Sequence, residues 1–353
     1  MLTSRLNRRQ LVIAGGVAVA AAPMLGRIGV SAQDAIVATL VTDTAGIGDQ
    51  SFNDMANEGG LRAQDELGVT FNVLESQTAA DYVRNLTDAA ESGDISIGVG
   101  FLLTDALTEV AAQYPDSKFA LIDSAVEADN VSNFLFREQE GAFLAGALAA
   151  QVSQTGQIGF VGGIRIPPVM RYEVGYVAGA KSVNPDIQIA IAYADDFENP
   201  DKGKELTLAQ FNAGADIVHA AAGRTGIGAF DAALEKGEGF WVVAADRDQS
   251  SLGPDVQLCA VIKGVDTAVY DSIKSTQDGS FVGGTNNLGI ADNGIGIGAI
   301  HSSVSADVVA VVEAYKAAIG ADLIVPPVDD DTLAAFELVA PDAIPAVEAT
   351  PAS

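Results

Sequence analysis

The sequence predicts an α/β protein made of two similar lobes, each a doubly wound, largely parallel sheet between layers of helix. Three observations carry that expectation. From Ala35 onward, short β-branched runs alternate with segments of helical period, as they do where crossover helices join parallel strands. The strand runs are apolar throughout rather than at every second residue, so each sheet is covered on both faces in a three-layer sandwich. The pattern also occurs twice, in halves of comparable length and element order, which favours a pair of lobes over one large sheet.

In the first half the strands fall at 36–42, 71–74, 95–99, 119–122 and 131–136, and the helices at 53–67, 82–92 and 105–113. An apolar helix at 141–152 leads through Ser153-Gln154-Thr155-Gly156 into the second half. There the strands fall at 157–161, 187–193, 216–222 and 240–245, and the helices at 169–182, 202–212 and 228–236. Beyond Asp255 come a strand at 257–262, a helix at 266–276, a strand at 287–291 and a helix at 302–319. From Pro326 the chain carries Asp329-Asp330-Asp331 and several prolines, a composition that predicts a disordered end.

Residues 1–32 read as an export leader. Arg5, Arg8 and Arg9 precede an apolar run at 11–25, no acidic residue occurs before Asp34, and Val30-Ser31-Ala32 supplies the small residues of a cleavage site. Asn7-Arg8-Arg9-Gln10-Leu11-Val12 resembles a twin-arginine signal. An anchor that stays attached is the alternative. No other stretch approaches the roughly 18 apolar residues of a spanning helix. The expectation is a soluble, exported, periplasmic or otherwise extracytoplasmic protein that does not insert in the membrane once the leader is cleaved. No cysteine stands near the cleavage site to carry a lipid.

The chain of 353 residues has a formal charge of −28. Setting aside the leader's arginines, Arg5, Arg8, Arg9 and Arg27, leaves 15 basic against 47 acidic residues, a net charge of −32. That balance argues against nucleic acid and anionic membrane as partners, since both need basic surface. Cys259, the one cysteine, sits in an apolar run and reads as a core residue, which leaves no internal disulfide and no cysteine metal cluster. His219 and His301 lie far apart and carry no motif around them, so neither a zinc site nor a Ser-His-Asp triad is expected, and no cofactor.

Ligands of open parallel sheets bind outside the carboxyl ends of the strands. In the first half those positions hold Asp43-Thr44 and the loop to Asn53, Gly100-Phe101, and Asp123-Ser124. In the second they hold Gly162-Gly163, Tyr193 to Phe197, Gly223 to Gly226, and Asp246-Arg247-Asp248. Aspartates and glycines recur where two facing lobes would present strand ends to a cleft. Such a site suits polyhydroxyl or heterocyclic ligands, because carboxylates accept hydrogen bonds from hydroxyls and ring N–H groups. Plainer readings stand beside this one. Asp49, Ser51 and Asn53 can cap the following helix, Phe52 can be a core residue, Gly223 to Gly228 can be a tight turn, and His219 can be a packed strand histidine. The glycine spacing is not a dinucleotide fingerprint, and no paired carboxylates single themselves out for hydrolysis.

Several motifs taken in order resemble the basic membrane protein family of solute-binding proteins, whose best-known members are purine nucleoside receptors of ABC importers. They are Asp43 to Asn53 (DTAGIGDQSFN), Gly98-Val99-Gly100-Phe101, Ile122-Asp123, Gly159-Phe160-Val161-Gly162-Gly163, Gly214 to Val218 (GADIV), Asp246-Arg247-Asp248-Gln249 and Val261-Ile262-Lys263. The resemblance spans about Ile36 to Ile319. It implies a type I periplasmic-binding-protein fold, with two lobes joined by a hinge crossed three times. On that reading 34–152 plus 255–280 form the N-terminal lobe, 153–254 plus 281–325 the C-terminal lobe, and 326–353 a tail.

It further implies a receptor, likewise not an enzyme, that closes on a small ligand and docks on ABC permease subunits, and a monomer. Phe52 matches the loop aromatic that stacks on the base, and His219 occupies the position of the second stacking ring. Asp123 and the polar position Asp43 would address the base edge, with Asn53 beside them. Asp246 and Lys263 would hold the ribose hydroxyls, with Asp246 also the expected partner of the lysine. Gly223 and Gly226 would admit backbone amides close to the sugar. Nucleoside is the leading ligand. A sugar, a free nucleobase or a flavin-like heterocycle is the alternative, and a secreted α/β hydrolase such as a nucleosidase the remote one.

Overall fold

The computed structural model describes residues 35–347; the predicted leader at 1–32 and the last six residues of the tail lie outside the described residues. Two six-stranded sheets organise the chain. The first has β1 (Val37–Val41), β2 (Thr70–Leu74), β3 (Ile95–Val99), β4 (Lys118–Ile122), β5 (Val131–Phe136) and β11 (Gly284–Leu288) in the order β11-β5-β4-β3-β1-β2, with every pairing parallel. The second has β6 (Gln157–Gly162), β7 (Gln188–Tyr193), β8 (Ile217–Ala221), β9 (Trp241–Ala244), β10 (Gln257–Lys263) and β12 (Ile295–Gly298) in the order β12-β10-β9-β8-β6-β7. All of its pairings are parallel except β10 with β12.

Both sheets are covered on both faces. In the first lobe α1 (Phe52–Leu67) and α8 (Val265–Asp278) pack together over one face, and α2 (Tyr82–Ser92) and α3 (Thr104–Gln113) over the other. In the second, α4 (Glu138–Val152), α5 (Pro167–Val183) and α9 (Ala306–Gly320) cover one face, while α6 (Pro200–Ala213) and α7 (Ile227–Lys236) cover the opposite one. The doubly wound, three-layer expectation matches this arrangement. Its strand and helix positions differ from the sequence reading mainly at the ends, and β12 is an element the sequence reading lacked.

The chain passes between the sheets three times, after Phe136, after Lys263 and between Leu288 and Ile295, but not at the expected boundaries. The apolar helix α4 belongs with the second sheet rather than the first. It is buried nearly all round, and Gly146 of α4 and Gly179 of α5 lie against each other's helix backbone so closely that a Cβ on either would collide with a carbonyl. Strand β10 pairs with β9 and β12 in the second lobe, not with the first-lobe strands, and only the helix after it, α8, returns to the first. Strand β11 lies at 284–288 rather than 287–291 and joins β5 in the first lobe, where the second was expected. An apolar run announces that it will be buried, not in which sheet.

The tail also departs from expectation up to Val347. A short helix, α10 (Asp330–Ala335), is capped by Asp329, whose Oδ1 accepts from the Thr332 amide at 2.8 Å. Leu333, Phe336, Val339 and Ile344 pack on the second-lobe core, and the Tyr315 hydroxyl donates to the Val339 carbonyl at 2.6 Å. Four well-spaced apolar side chains outweigh an average composition that reads as disordered. Among the described residues no helix is long and apolar enough to cross a membrane, and no cluster of three or more His, Cys, Asp or Glu could hold a metal ion. Cys259 is a free, buried thiol.

Candidate functional site: the interlobe chamber

A chamber lies between the lobes at the carboxyl ends of both sheets, enclosing about 580 Å³ of atom-free space if its open mouth is counted. Asp43 follows β1, Gly100 follows β3 and Asp123 follows β4, while Gly223 and Asp246 follow β8 and β9, and Lys263 ends β10. Asp123 and Asp246 are related positions in the two lobes, and both hold φ near +68°. That left-handed conformation is uncommon outside glycine but tolerated by aspartate, and it turns each carboxylate back over the strand ends.

The loop before α1 builds the first-lobe wall. Asp49 caps the helix, its carboxylate accepting from the amides of Ser51 (2.9 Å), Asn53 (2.8 Å) and Asp54 (3.1 Å), so the capping reading holds for Asp49. Asn53 Nδ2 donates to Asp43 Oδ1 at 2.9 Å and to Asp49 Oδ2 at 3.1 Å. Carboxylates only accept, so this pair fixes the amide's orientation and leaves Asn53 Oδ1 as a buried acceptor with no partner. Asp123 Oδ1 is a second such acceptor. Burial, helped by nearby Asp49 and Glu198, pushes the Asp43 carboxyl up to about 6 against the donors Asn53 and Ala45.

Two half-buried phenylalanines face the chamber from opposite lobes. Phe52 packs on the first-lobe core beside Gly100, and Phe197 on the second-lobe core. Phe197 lies over Gly163, where a Cβ would enter its ring.

His219 is not the second ring. It is fully buried in the middle of β8, beneath the chamber, with ring centroids of Tyr176, Phe160 and Tyr172 at 5.2–5.5 Å. Its Nδ1 lies 3.0 Å from the Val243 carbonyl, which can only accept, so Nδ1 carries the proton. Burial lowers its pKa to about 4, and it packs as a neutral residue. Gly226 is likewise absent from the lining, buried in the turn before α7, whereas Gly223 is present.

Lys263 is paired differently from expectation. Its ammonium donates to Asp123 Oδ2 at 2.6 Å and lies 2.9 Å from Glu138 Oε1, with the rings of Phe52 and Phe136 each 5.1 Å away and that of Tyr172 at 5.9 Å. Burial works against the charged form, but Asp123 and Glu138 outweigh it and hold the ammonium protonated. Asp246 is instead engaged by the hydroxyls of Ser51 and Tyr172, both at 2.9 Å. Phe197 and Arg224 fall within the strand-end segments that the sequence singles out, without a role of their own there; Tyr172, Glu138 and Arg171 lie in no strand-end segment and no motif.

The lobes stand closed on each other. Arg224 donates to the carbonyls of Ala45 (2.8 Å) and Ile47 (2.9 Å), Gln249 to that of Gln50 (2.9 Å), and Arg247 pairs with Glu58 at 2.8 Å. All four reach from the second lobe to the loop before α1 or to α1 itself.

Comparison with known proteins follows the same line. The profile of the Bmp family, described as ABC transporter substrate-binding protein PnrA-like, matches residues 36–326. The CD4+ T-cell-stimulating antigen of Listeria innocua is 36% identical over 343 residues, covering 88% of this chain and 96% of that one. The ABC transporter nucleoside-binding protein BmpA of Lactococcus lactis is 37% identical over 269 residues, or 70% of this chain and 77% of its own length. Among solved structures, an ABC transporter solute-binding protein from Aeropyrum pernix superposes with a TM-score of 0.79 at 31% identity, over 85% of this chain and 96% of that one.

Proposed function

The chain belongs to the Bmp family of PnrA-like ABC transporter substrate-binding proteins, and from that premise we propose that its interlobe chamber captures a nucleoside for delivery to a membrane permease. The observation that carries this reading is the pairing of two aromatic rings from opposite lobes, Phe52 and Phe197, with two buried acceptors that lack partners, Asn53 Oδ1 and Asp123 Oδ1. A flat heterocycle fits between rings, where stacking adds to the apolar area buried. Its N–H groups satisfy acceptors that are costly to leave bare. Asp43 adds a third acceptor, and Asp246 and Lys263 remain for the hydroxyls of a sugar. The relative from Lactococcus lactis bears the name of a nucleoside-binding protein, which supports the same class.

The mechanism needs no catalytic step. Ligand enters an open cleft, the second lobe folds over it, and the contacts of Arg224, Arg247 and Gln249 hold the closed form that a permease recognises. On this reading the protein works as an exported monomer outside the cytoplasm, with the twin-arginine-like segment at 1–32 as its export leader. Calorimetric titration with adenosine, guanosine, inosine and uridine tests the ligand class. At least one is expected to bind with micromolar or tighter affinity; no heat from all four, with binding of a simple sugar instead, would overturn the nucleoside reading.

A further inference from the structure

We propose that Glu138, which does not line the chamber, is a positioning residue for ligand recognition: its charge sustains the buried Lys263 ammonium from outside the chamber, so that the lysine can present a donor to a ligand. The proposal rests on the chamber being the ligand site.

Four charged side chains run in a file from the chamber into the hinge: Asp123, Lys263, Glu138 and Arg171. Glu138 is fully buried and opens α4, immediately after the first crossing; Lys263 ends β10, immediately before the second. Glu138 Oε2 accepts from Arg171 Nε at 2.6 Å. Its Oε1 lies 2.9 Å from Lys263 Nζ, a close ion pair. An ammonium has three N–H donors, and two carboxylates, Asp123 and Glu138, face this one, which leaves a donor for a ligand. Part of the charge is therefore compensated from outside the chamber lining.

Fully ionised, the file is neutral, with two cations and two anions; burial and nearby Glu138 push the Asp123 carboxyl up to about 7 against the pull of Lys263. Asp246 and Tyr172 also face Lys263, but both are occupied with each other. Burial alone would raise the Glu138 carboxyl; Lys263 and Arg171 prevail and hold it below the usual glutamate range. Without the glutamate charge the ammonium would depend mainly on Asp123, the same carboxylate that has a free oxygen to offer a ligand, with a smaller contribution from Asp246.

The test compares the full-length wild type with Glu138→Gln and Glu138→Asp by calorimetry against a nucleoside and its 5′-monophosphate. Glu138→Gln adds one positive charge to the file. It is expected to weaken the nucleoside on the order of 10- to 100-fold, while the monophosphate loses less, so that the ratio between the two narrows. Glu138→Asp, which keeps the charge, should keep the wild-type ratio. Equal losses for both ligands, or no loss, would overturn the proposal. If Glu138→Gln does not fold because Arg171 is stranded, Glu138→Gln with Arg171→Met takes its place; the file then stays neutral, so the lysine titration below, and not the ratio, is what it is read by.

A second measurement does not depend on the ligand. With ¹⁵N-labelled lysine, the Lys263 Nζ resonance should titrate at least about one pH unit lower in Glu138→Gln than in the wild type. An unchanged titration would sink the positioning role even if nucleosides bind. A lowered one sustains it even if none does, in which case the nucleoside reading alone has failed.

Discussion

The two walls of the chamber come from sheets of nearly the same topology yet carry different chemistry. The first-lobe wall presents Asp43, Asn53 and Asp123, with acceptor oxygens unpartnered on the last two. The second-lobe wall is largely apolar, from Ile166, Pro168, Val169, Phe197, Ala221 and Ala222. Its two charged groups have protein partners, Asp246 in Ser51 and Tyr172, and Lys263 in Asp123 and Glu138, with part of their hydrogen-bonding capacity left over. The contrast separates two tasks. Unpartnered acceptors discriminate among ligands, since a molecule without matching donors leaves them bare. An apolar cover excludes water and strengthens those same bonds.

The most damaging way to break the contrast is to remove the group that joins the walls. Lys263→Met strands the buried carboxylate of Asp123 and leaves that of Glu138 balanced by Arg171 alone, and removing one partner of a buried ion pair costs about 3–5 kcal/mol. Denaturant unfolding should show a loss of that size. Adding Asp123→Asn should recover part of it, because the added change removes one of the stranded charges. A loss below about 1 kcal/mol would mean that the pair contributes as weakly as an exposed one.

A smaller effect separates the apolar wall from the core beneath it. Phe197→Ala should weaken ligand by about 1–3 kcal/mol, the usual cost of removing a stacked aromatic, with little change in stability. His219→Ala should do the reverse. It opens a cavity among Phe160, Tyr172 and Tyr176 and costs about 2 kcal/mol or more of stability, while affinity measured on the folded protein stays within about twofold. If His219→Ala instead abolished binding at unchanged stability, the second ring would be the histidine after all.

That pair of substitutions also marks how far the sequence could be read. Strands and helices were legible because apolar runs, helical period and turn residues are local. The acceptor wall was legible because Asp43, Asn53 and Asp123 lie in motifs just past strand ends. His219 misled because motif matching gave it a role that its place denies: at the middle of β8 a side chain points into a layer, and only from Ala221, the end of the strand, onward does this segment reach the chamber. The same rule of strand ends that found Asp123 favours Phe197. Lobe membership of α4, β10 and β11 was illegible, since burial on all sides looks alike in either lobe. So was the partnership of Lys263 with Glu138, 125 residues away, because no periodicity connects them.

The smallest effect sharpens what the first wall does. Asp43, held near 6 by burial, is partly protonated in mildly acid solution. A folded-state value above the ordinary one means that the native protein binds more protons than the unfolded chain between about pH 4 and 6. On this group, stability is therefore fully present below that window and falls, by on the order of 3 kcal/mol, as pH rises through it. Ligand reverses the sense. A ring N–H donated to Asp43 requires the carboxylate, so binding below about pH 6 must expel a proton, and affinity should fall as pH drops, by up to about tenfold per unit. Titration at pH 7.5, 6 and 5 in buffers of different ionisation enthalpy would show both the fall and the released proton. Affinity that rises toward pH 5 with proton uptake would mean that protonated Asp43 donates to a ring nitrogen instead, making the polar wall a mixed donor and acceptor surface that favours bases lacking an N–H at that edge.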